Sequence, residues 1–215
     1  MSETLEPAVP PTPASRNRLI EAAARVYACA GFRGATTRRI AEEAGVNEVT
    51  IFRLFGSKAA LIDAAVRERA AEVAPVAALP EEPVDPEREL TAWCEEQLAR
   101  LRDHRSLIRQ TMGELAERPE AAPCAAQGTQ EAAVELKGYM RRMCERGFVD
   151  FASRQTAGRD EEAHAAGAML MAALFGDAMG RDLMPEMYPQ PPERAAALYV
   201  RLFLRAIRFA PTPRD

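Results

Sequence analysis

The chain has 215 residues, 47% hydrophobic and 28% charged, with a formal net charge of −4. That is material for one large or two small globular domains with a sizeable core, and it lacks the basic excess of a protein that coats nucleic acid. The four cysteines, at 29, 94, 124 and 144, make no CxxC or zinc-ligand spacing, and only His104 and His164 stand by to complete one. They read as buried thiols of a reducing compartment, with no metal site.

The opening "MSETLEPAVPPTPAS" is acidic and proline-rich, which is no secretory signal and predicts a disordered tail over residues 1–14. From Ser15 the period turns helical. Leu19, Ile20, Ala23, Val26, Tyr27 and Ala30 form one stripe, stopped by Gly31. A second helix is expected over 37–44, capped by Thr36 or Thr37 and ended by Gly45. A third starts behind Asn47 and ends near Phe55-Gly56, and Ser57 caps a fourth that runs through Leu61, Ile62, Ala65, Val66 and Arg69. After a proline-broken loop at 75–86, further helices are expected at about 87–103, 105–117, 127–153, 160–182 and 191–209. No alternating strand pattern or internal repeat occurs, so the fold class is all-α with about nine helices. The longest apolar run, 165–176, is too short to span a bilayer. The expectation is a soluble cytoplasmic protein. It divides into the tail (1–14), a helix-turn-helix domain (15–60) and a helical regulatory and dimerisation domain (61–210).

Charge is distributed unevenly. Residues 14–72 carry ten Arg and Lys against seven Asp and Glu, a net +3, which leaves −7 on the remainder. A modestly basic first third and an acidic rest suggest two parts with different partners. Within the basic part, two short helices flank Gly45-Val46-Asn47. Ala41 is small enough for close approach, and Gly45 permits the positive φ of a tight turn. Val46 and Ile51 face inward with Ile40, Ala44 and Phe55, leaving Asn47, Glu48, Thr50, Phe52 and Arg53 outside. This spacing describes a helix-turn-helix, whose second helix lies in a DNA major groove; an ordinary αα-corner of a helical bundle has the same spacing.

The stretch "TTRRIAEEAGVNEVTIFRLFGSKAALI", with "AAARVYACAGFRGATT" before it, resembles the N-terminal domain of the TetR/AcrR family of transcriptional regulators. The resemblance covers roughly Arg16 to Val66; beyond it, only the helical layout and the endings "LFGDAMGRDLMP" and "YVRLFLRAI" are similar. It implies a homodimer that binds a near-palindromic double-stranded DNA operator and acts as a repressor released by a small hydrophobic effector. Carried over residue by residue, the DNA contacts are Thr37, Arg38, Asn47, Glu48, Thr50, Phe52, Arg53 and Lys58. Physical reasons stand beside the carry-over. Thr37 and Arg38 open the second helix where its amides favour a phosphate. Thr50 reaches a thymine methyl or a base edge, and Arg53 forks onto guanine or a phosphate. Glu48 either accepts from cytosine or complements its own helix N-terminus. Lys58 places an ammonium beside helix-terminal amides, a phosphate site. Phe52 departs from the family's usual tyrosine. Lacking a hydroxyl, it contacts sugar or a thymine methyl, or packs internally.

In the acidic remainder, Ala168, Ala172, Gly176 and Gly180 recur every four residues as a smooth ridge. With Leu198, Leu202 and Phe203 of the last helix they form the expected dimer interface, a four-helix bundle between two copies. The same stripes also suit the domain's own core. Trp93, Ile108, Met112, Met140, Met143, Phe151 and Met171 are the candidate effector pocket, with His104, Arg109, Glu114 and His164 as polar anchors; plain core accounts for such a set equally. No nucleophile with a neighbouring base, phosphate-cradling glycine loop or metal-ligand spacing points to an enzyme, and no cofactor is expected. The carboxylate pairs Glu42-Glu43 and Glu95-Glu96 are adjacent and face different ways on a helix. A protein-binding helical scaffold is the remaining class, distinguished from a DNA binder by a weak salt dependence.

Overall fold

The computed structural model describes residues 13–72, 78–117, 119, 122–149, 151 and 156–211. The expected tail falls outside them except at Pro13 and Ala14, as do residues 73–77 of the proline-broken loop. Among the described residues there are nine α-helices and no strand: α1 (Pro13–Gly34), α2 (Thr37–Ala44), α3 (Val49–Phe55), α4 (Lys58–Glu72), α5 (Pro86–Asp103), α6 (Arg105–Glu114), α7 (Ala122–Glu145), α8 (Thr156–Gly180) and α9 (Ala195–Ala206). None is long and apolar enough to cross a membrane.

The helices form two compact units, one of Met1–Glu72 with Ser106–Ala125, the other of Val73–Arg105 with Ala126–Asp215. This division differs from the one expected at residue 60, because α4 and α6 both pack with the N-terminal helices. In α4, Leu61, Ile62 and Ala65 are at most 1% exposed and join the stripe of Leu19, Ala22, Ala23, Val26 and Tyr27 on α1. Burying each large apolar side chain contributes about 1.5–3 kcal/mol. α6 joins through polar contacts. Glu114 Oε2 accepts from the Tyr27 hydroxyl at 2.8 Å, and Oε1 accepts from the Phe32 backbone N–H at 2.6 Å. That N–H is available because α1 kinks at Gly31, whose φ of 67° and ψ of −178° suit glycine alone. A Cβ there would also stand 2.7 Å from Gln110 Nε2 and 2.8 Å from Glu114 Oε1.

The second unit is built on α5, α8 and α9, which pack against one another, with α7 joined to α5 by side-chain bonds. Asp85 accepts from the Arg88 N–H and Pro86 opens the helix, so α5 begins where the sequence indicates. α7 ends earlier than expected. Gly147 takes φ 76° and the Phe148 N–H returns to the Met143 carbonyl at 2.9 Å, closing the helix eight residues before 153. It also starts earlier, because Pro123 sits in the first turn, where no intrahelical N–H is required. The core holds Leu90, Trp93, Leu136, Tyr139, Met140, Met143, Leu174 and Val200, none more than 2% exposed. The cysteines are not uniformly buried. Cys94 is, and burial beside Glu95 pushes its thiol up to about 12, whereas Cys29 is exposed and Cys144 half-buried.

One buried charge organises α8. Asp177 is fully buried. Its Oδ1 accepts from Arg102 Nη2 at 2.9 Å and from Arg181 Nε at 2.8 Å, and its Oδ2 accepts from the Tyr199 hydroxyl at 2.9 Å. Arg181 also donates to the Pro189 carbonyl at 2.7 Å. Burial alone pushes the Asp177 carboxyl up, but the bonds from Arg181, Arg102 and Tyr199 together outweigh it and hold the carboxyl below its ordinary value. The Asp177 contribution to stability is therefore fully present above the ordinary aspartate pKa, about 3.9, and is lost as pH falls through the lower folded value. We expect Asp177→Asn to lower unfolding free energy by about 3 kcal/mol at pH 7, since it leaves two guanidinium groups facing a neutral partner. In urea titrations the gap between wild type and variant should shrink on acidification below about pH 4; a gap independent of pH would remove the ionic role.

Candidate nucleic-acid interface

The α2–α3 turn is fixed at both ends by local bonds. Thr36 Oγ1 accepts from the Arg39 N–H at 3.2 Å and starts α2. Gly45, at φ 63°, ends it, with the Val46 N–H returning to the Ala41 carbonyl at 3.0 Å. Asn47 Oδ1 then accepts from the Val49 N–H at 2.9 Å, which opens α3. α3 has only seven residues, too few to be stable alone. Ile51, 0% exposed, is its one buried side chain, supported by the partly buried Leu54 and Phe55. Ser57 Oγ accepts from the Ala60 N–H at 3.1 Å and opens α4.

This places each predicted DNA-contact residue. Arg38, Asn47, Phe52 and Arg53 are exposed; Thr37, Glu48, Thr50 and Lys58 are half-buried. Phe52 does not pack internally: half of it, 51%, is exposed. Several of the eight also hold bonds within the chain. The Thr37 hydroxyl donates to Glu48 Oε1 at 2.5 Å, tying the start of α2 to the start of α3. Arg38 Nε donates to Glu42 Oε1 at 2.9 Å, and both are well exposed. Lys58 Nζ donates to the Phe32 carbonyl at 2.7 Å and lies 4.0 Å from the centre of the Phe32 ring. Lys58 thus braces the α1 kink from the same residue whose N–H is held by Glu114. Sequence spacing gave no sign of this, because the acceptor is a backbone carbonyl 26 residues away. Val49, also on α3, is 59% exposed.

The residues of the predicted effector pocket differ in burial. Trp93, Met140, Met143 and Met171 are at most 6% exposed and form packed core, and Trp93 Nε1 donates to Glu135 at 3.2 Å. Met112, at 48% exposure, and Ile108 belong to the N-terminal unit. Phe151 lines a small cleft of about 140 Å³ with Arg141, Cys144, Glu145, Arg159, Asp160 and Ala163. Periodicity marks apolar helix faces but cannot tell a filled core from a cavity wall. Of the polar anchors, Glu114 serves α1, His104 Nδ1 lies 3.0 Å from the Arg100 carbonyl at the end of α5, and His164 is exposed. The predicted dimer set divides. Ala168, Ala172 and Leu202 are exposed, and Gly176 and Leu198 half-buried. Gly180 and Phe203 instead turn into their own unit. A Cβ on Gly180 would stand 2.1 Å from the Tyr188 hydroxyl oxygen, so the missing side chain serves an internal contact.

Residues 19–65 match the family described as bacterial regulatory proteins, tetR family. Over 62 residues the chain is 44% identical to the HTH-type transcriptional repressor AcnR of Corynebacterium glutamicum, a match covering 29% of this chain and 33% of that protein. The chain thus spans about a third of the length of the curated relative. Among solved structures, the fatty acid degradation regulator FadR from Bacillus halodurans superposes with a TM-score of 0.69 at 20% identity, covering 94% of this chain and 100% of that one. A TetR-like transcriptional regulator from Rhodococcus sp. RHA1 gives 0.65 at 16% identity, over 93% and 99%. At these identities the structures establish the fold. The sequence match falls on the residues that build and present α3, so it is the segment 19–65 that is similar to the bacterial regulatory proteins of the tetR family.

Proposed function

We propose that the protein is a sequence-specific DNA-binding transcriptional repressor that acts as a homodimer and is released by a small hydrophobic effector. The carrying observation is α3 itself. It opens on the Asn47 bond to the Val49 N–H, is locked by Ile51, and leaves Phe52 and Arg53 exposed and Thr50 half-buried. In a helix-turn-helix this face enters the major groove, where Arg53 forks onto guanine and Thr50 meets a base edge. Arg38 and the ammonium of Lys58 fit phosphates flanking that face. Asn47, Thr37 and Glu48 shape the turn beside whatever contacts they make. The repressor sign follows the 44% identical relative.

The test is selection of bound sequences from random DNA with the full chain, followed by affinity measurements across a salt series. A preferred near-palindromic site and a steep salt slope are expected; equal affinity for every sequence would defeat the reading. Arg53→Ala should cost about 1–3 kcal/mol and relax preference at one position per half-site. Lys58→Ala should weaken all sequences alike.

The homodimer reading rests on the exposed Ala168 and Ala172, the half-buried Gly176 in line with them on α8, and the exposed Leu202 of α9. A Cβ on Gly176 meets nothing within 4 Å in its own protomer. Gly176→Leu should therefore leave the protomer folded while forcing a partner helix away. Sedimentation as a folded monomer is the expected result, and an intact dimer would move the interface elsewhere.

The effector reading makes a linkage statement. Only a ligand that favours one of two arrangements can release DNA, and operator must then weaken ligand binding by the same factor. Paired titrations of candidate apolar compounds, with and without operator, read this directly. Identical ligand affinity in both would dismiss that compound as the effector.

A further inference from the structure

α3 carries an apolar pair on a surface where the fold gains nothing from it. Val49 is 59% exposed and Phe52 51%, while Ile51 between them is 0% exposed. Positions three and four apart share a helix face, so Val49, Phe52 and Arg53 lie together. Valine, threonine, isoleucine and phenylalanine are also mediocre helix formers, and a polar residue at 49 would serve a solvent-facing first turn better. Arg53, exposed one turn after Val49 on the same helix face, suits a polyanion.

We propose that Val49 and Phe52 read thymine through its C5 methyl group, making them specificity-determining residues of the DNA face. This rests on the DNA-binding reading above and adds to it the base and the group on it that is recognised. In the major groove the only apolar feature on a base-pair edge is the thymine methyl; every other feature there is a hydrogen-bond donor or acceptor. A valine and a phenylalanine, with no polar atom between them, can distinguish nothing else. The ring of Phe52 has no hydroxyl to bond a phosphate, and the exposed Val49 is placed one helical turn before Arg53. The pair therefore supplies methyl recognition at bases next to the one that Arg53 forks onto.

The experiment uses the full chain and the operator recovered from random DNA, with each thymine replaced singly by deoxyuridine. That exchange deletes the methyl and keeps every hydrogen-bonding group. Wild type should bind about fourfold more weakly for each contacted methyl removed, the effect of leaving one methyl unburied. Val49→Ala should lose a similar factor on the unmodified operator and become indifferent to deoxyuridine at one position per half-site. Phe52→Ala should do the same at a neighbouring position. At those positions 5-methylcytosine should bind better than cytosine. Val49 is more than half exposed and alanine favours helix, so thermal melting of Val49→Ala should match wild type. Wild-type affinity unchanged by deoxyuridine at every position overturns the inference while leaving the DNA-binding reading intact. So does an unaltered deoxyuridine pattern in both variants. Enrichment of no sequence at all overturns both readings.

Discussion

The outer face of α3 depends on one buried side chain. A seven-residue helix has too few hydrogen bonds to persist alone, so α3 exists because Ile51 is sunk in the core and its two ends are tied. That anchorage also fixes rotation about the helix axis. With Ile51 inward, Val49, Phe52 and Arg53 have no other direction than outward, and their exposures follow from that single constraint. Burial of one isoleucine contributes about 2–3 kcal/mol, which is enough to orient a helix whose first N–H is already held by Asn47 and whose last turn is closed by the Gly56 N–H on the Phe52 carbonyl.

The surroundings of α3 are held from a distance. Lys58 follows the helix closely and donates to the Phe32 carbonyl, while the N–H of the same residue is taken by Glu114 from α6. Both faces of that peptide region are therefore claimed by charged groups, which strengthens each bond over a neutral one. Gly31 makes this possible by turning the chain out of α1. Gln110 closes the arrangement, donating to Glu114 Oε1 at 2.7 Å. The start of α4 is thereby set by the α1 kink, and the kink by α6. Lys58 is consequently part of the bracing of the α1 kink, through the Phe32 carbonyl and ring.

The legible parts of the sequence were those with a short-range cause. Thr36, Gly45, Asn47 and Ser57 each act within a few residues, and the helices they bound stand where they were expected. The all-α class was equally plain, since helical periodicity is a local pattern. What stayed hidden was set by partners far along the chain. Glu114 meets Tyr27 and Phe32 more than 80 residues away, and Asp177 meets Arg102 75 residues away. A carboxylate on a helix reads as solvent-facing or as a pocket anchor until its donors are known. The effector set is legible only in part, for a different reason. Met and Trp at helical spacing specify an apolar face, and whether that face is filled depends on the volume opposite it. The early end of α7 has a local cause in Gly147, whose position after a helical run is the usual mark of a stop.

The second unit sets the rotation of α8 much as the first sets that of α3, with a charge in place of an isoleucine. Asp177 follows Gly176 directly, and neighbours in a helix point about 100° apart. Sinking Asp177 among Arg102, Arg181 and Tyr199 therefore turns Gly176, and with it Ala172 and Ala168, toward the outside. A rotation that brought the ridge inward would drag the carboxylate away from its donors and into apolar surroundings, at a cost of several kcal/mol. An apolar residue at 177 would bury as well, but it would tolerate neighbouring rotations of the helix. Buried ionic groups are weak sources of net stability, and their best-attested use is to specify register. In this chain the register they specify is the one that leaves the small residues Ala168 and Ala172 facing out from the fold.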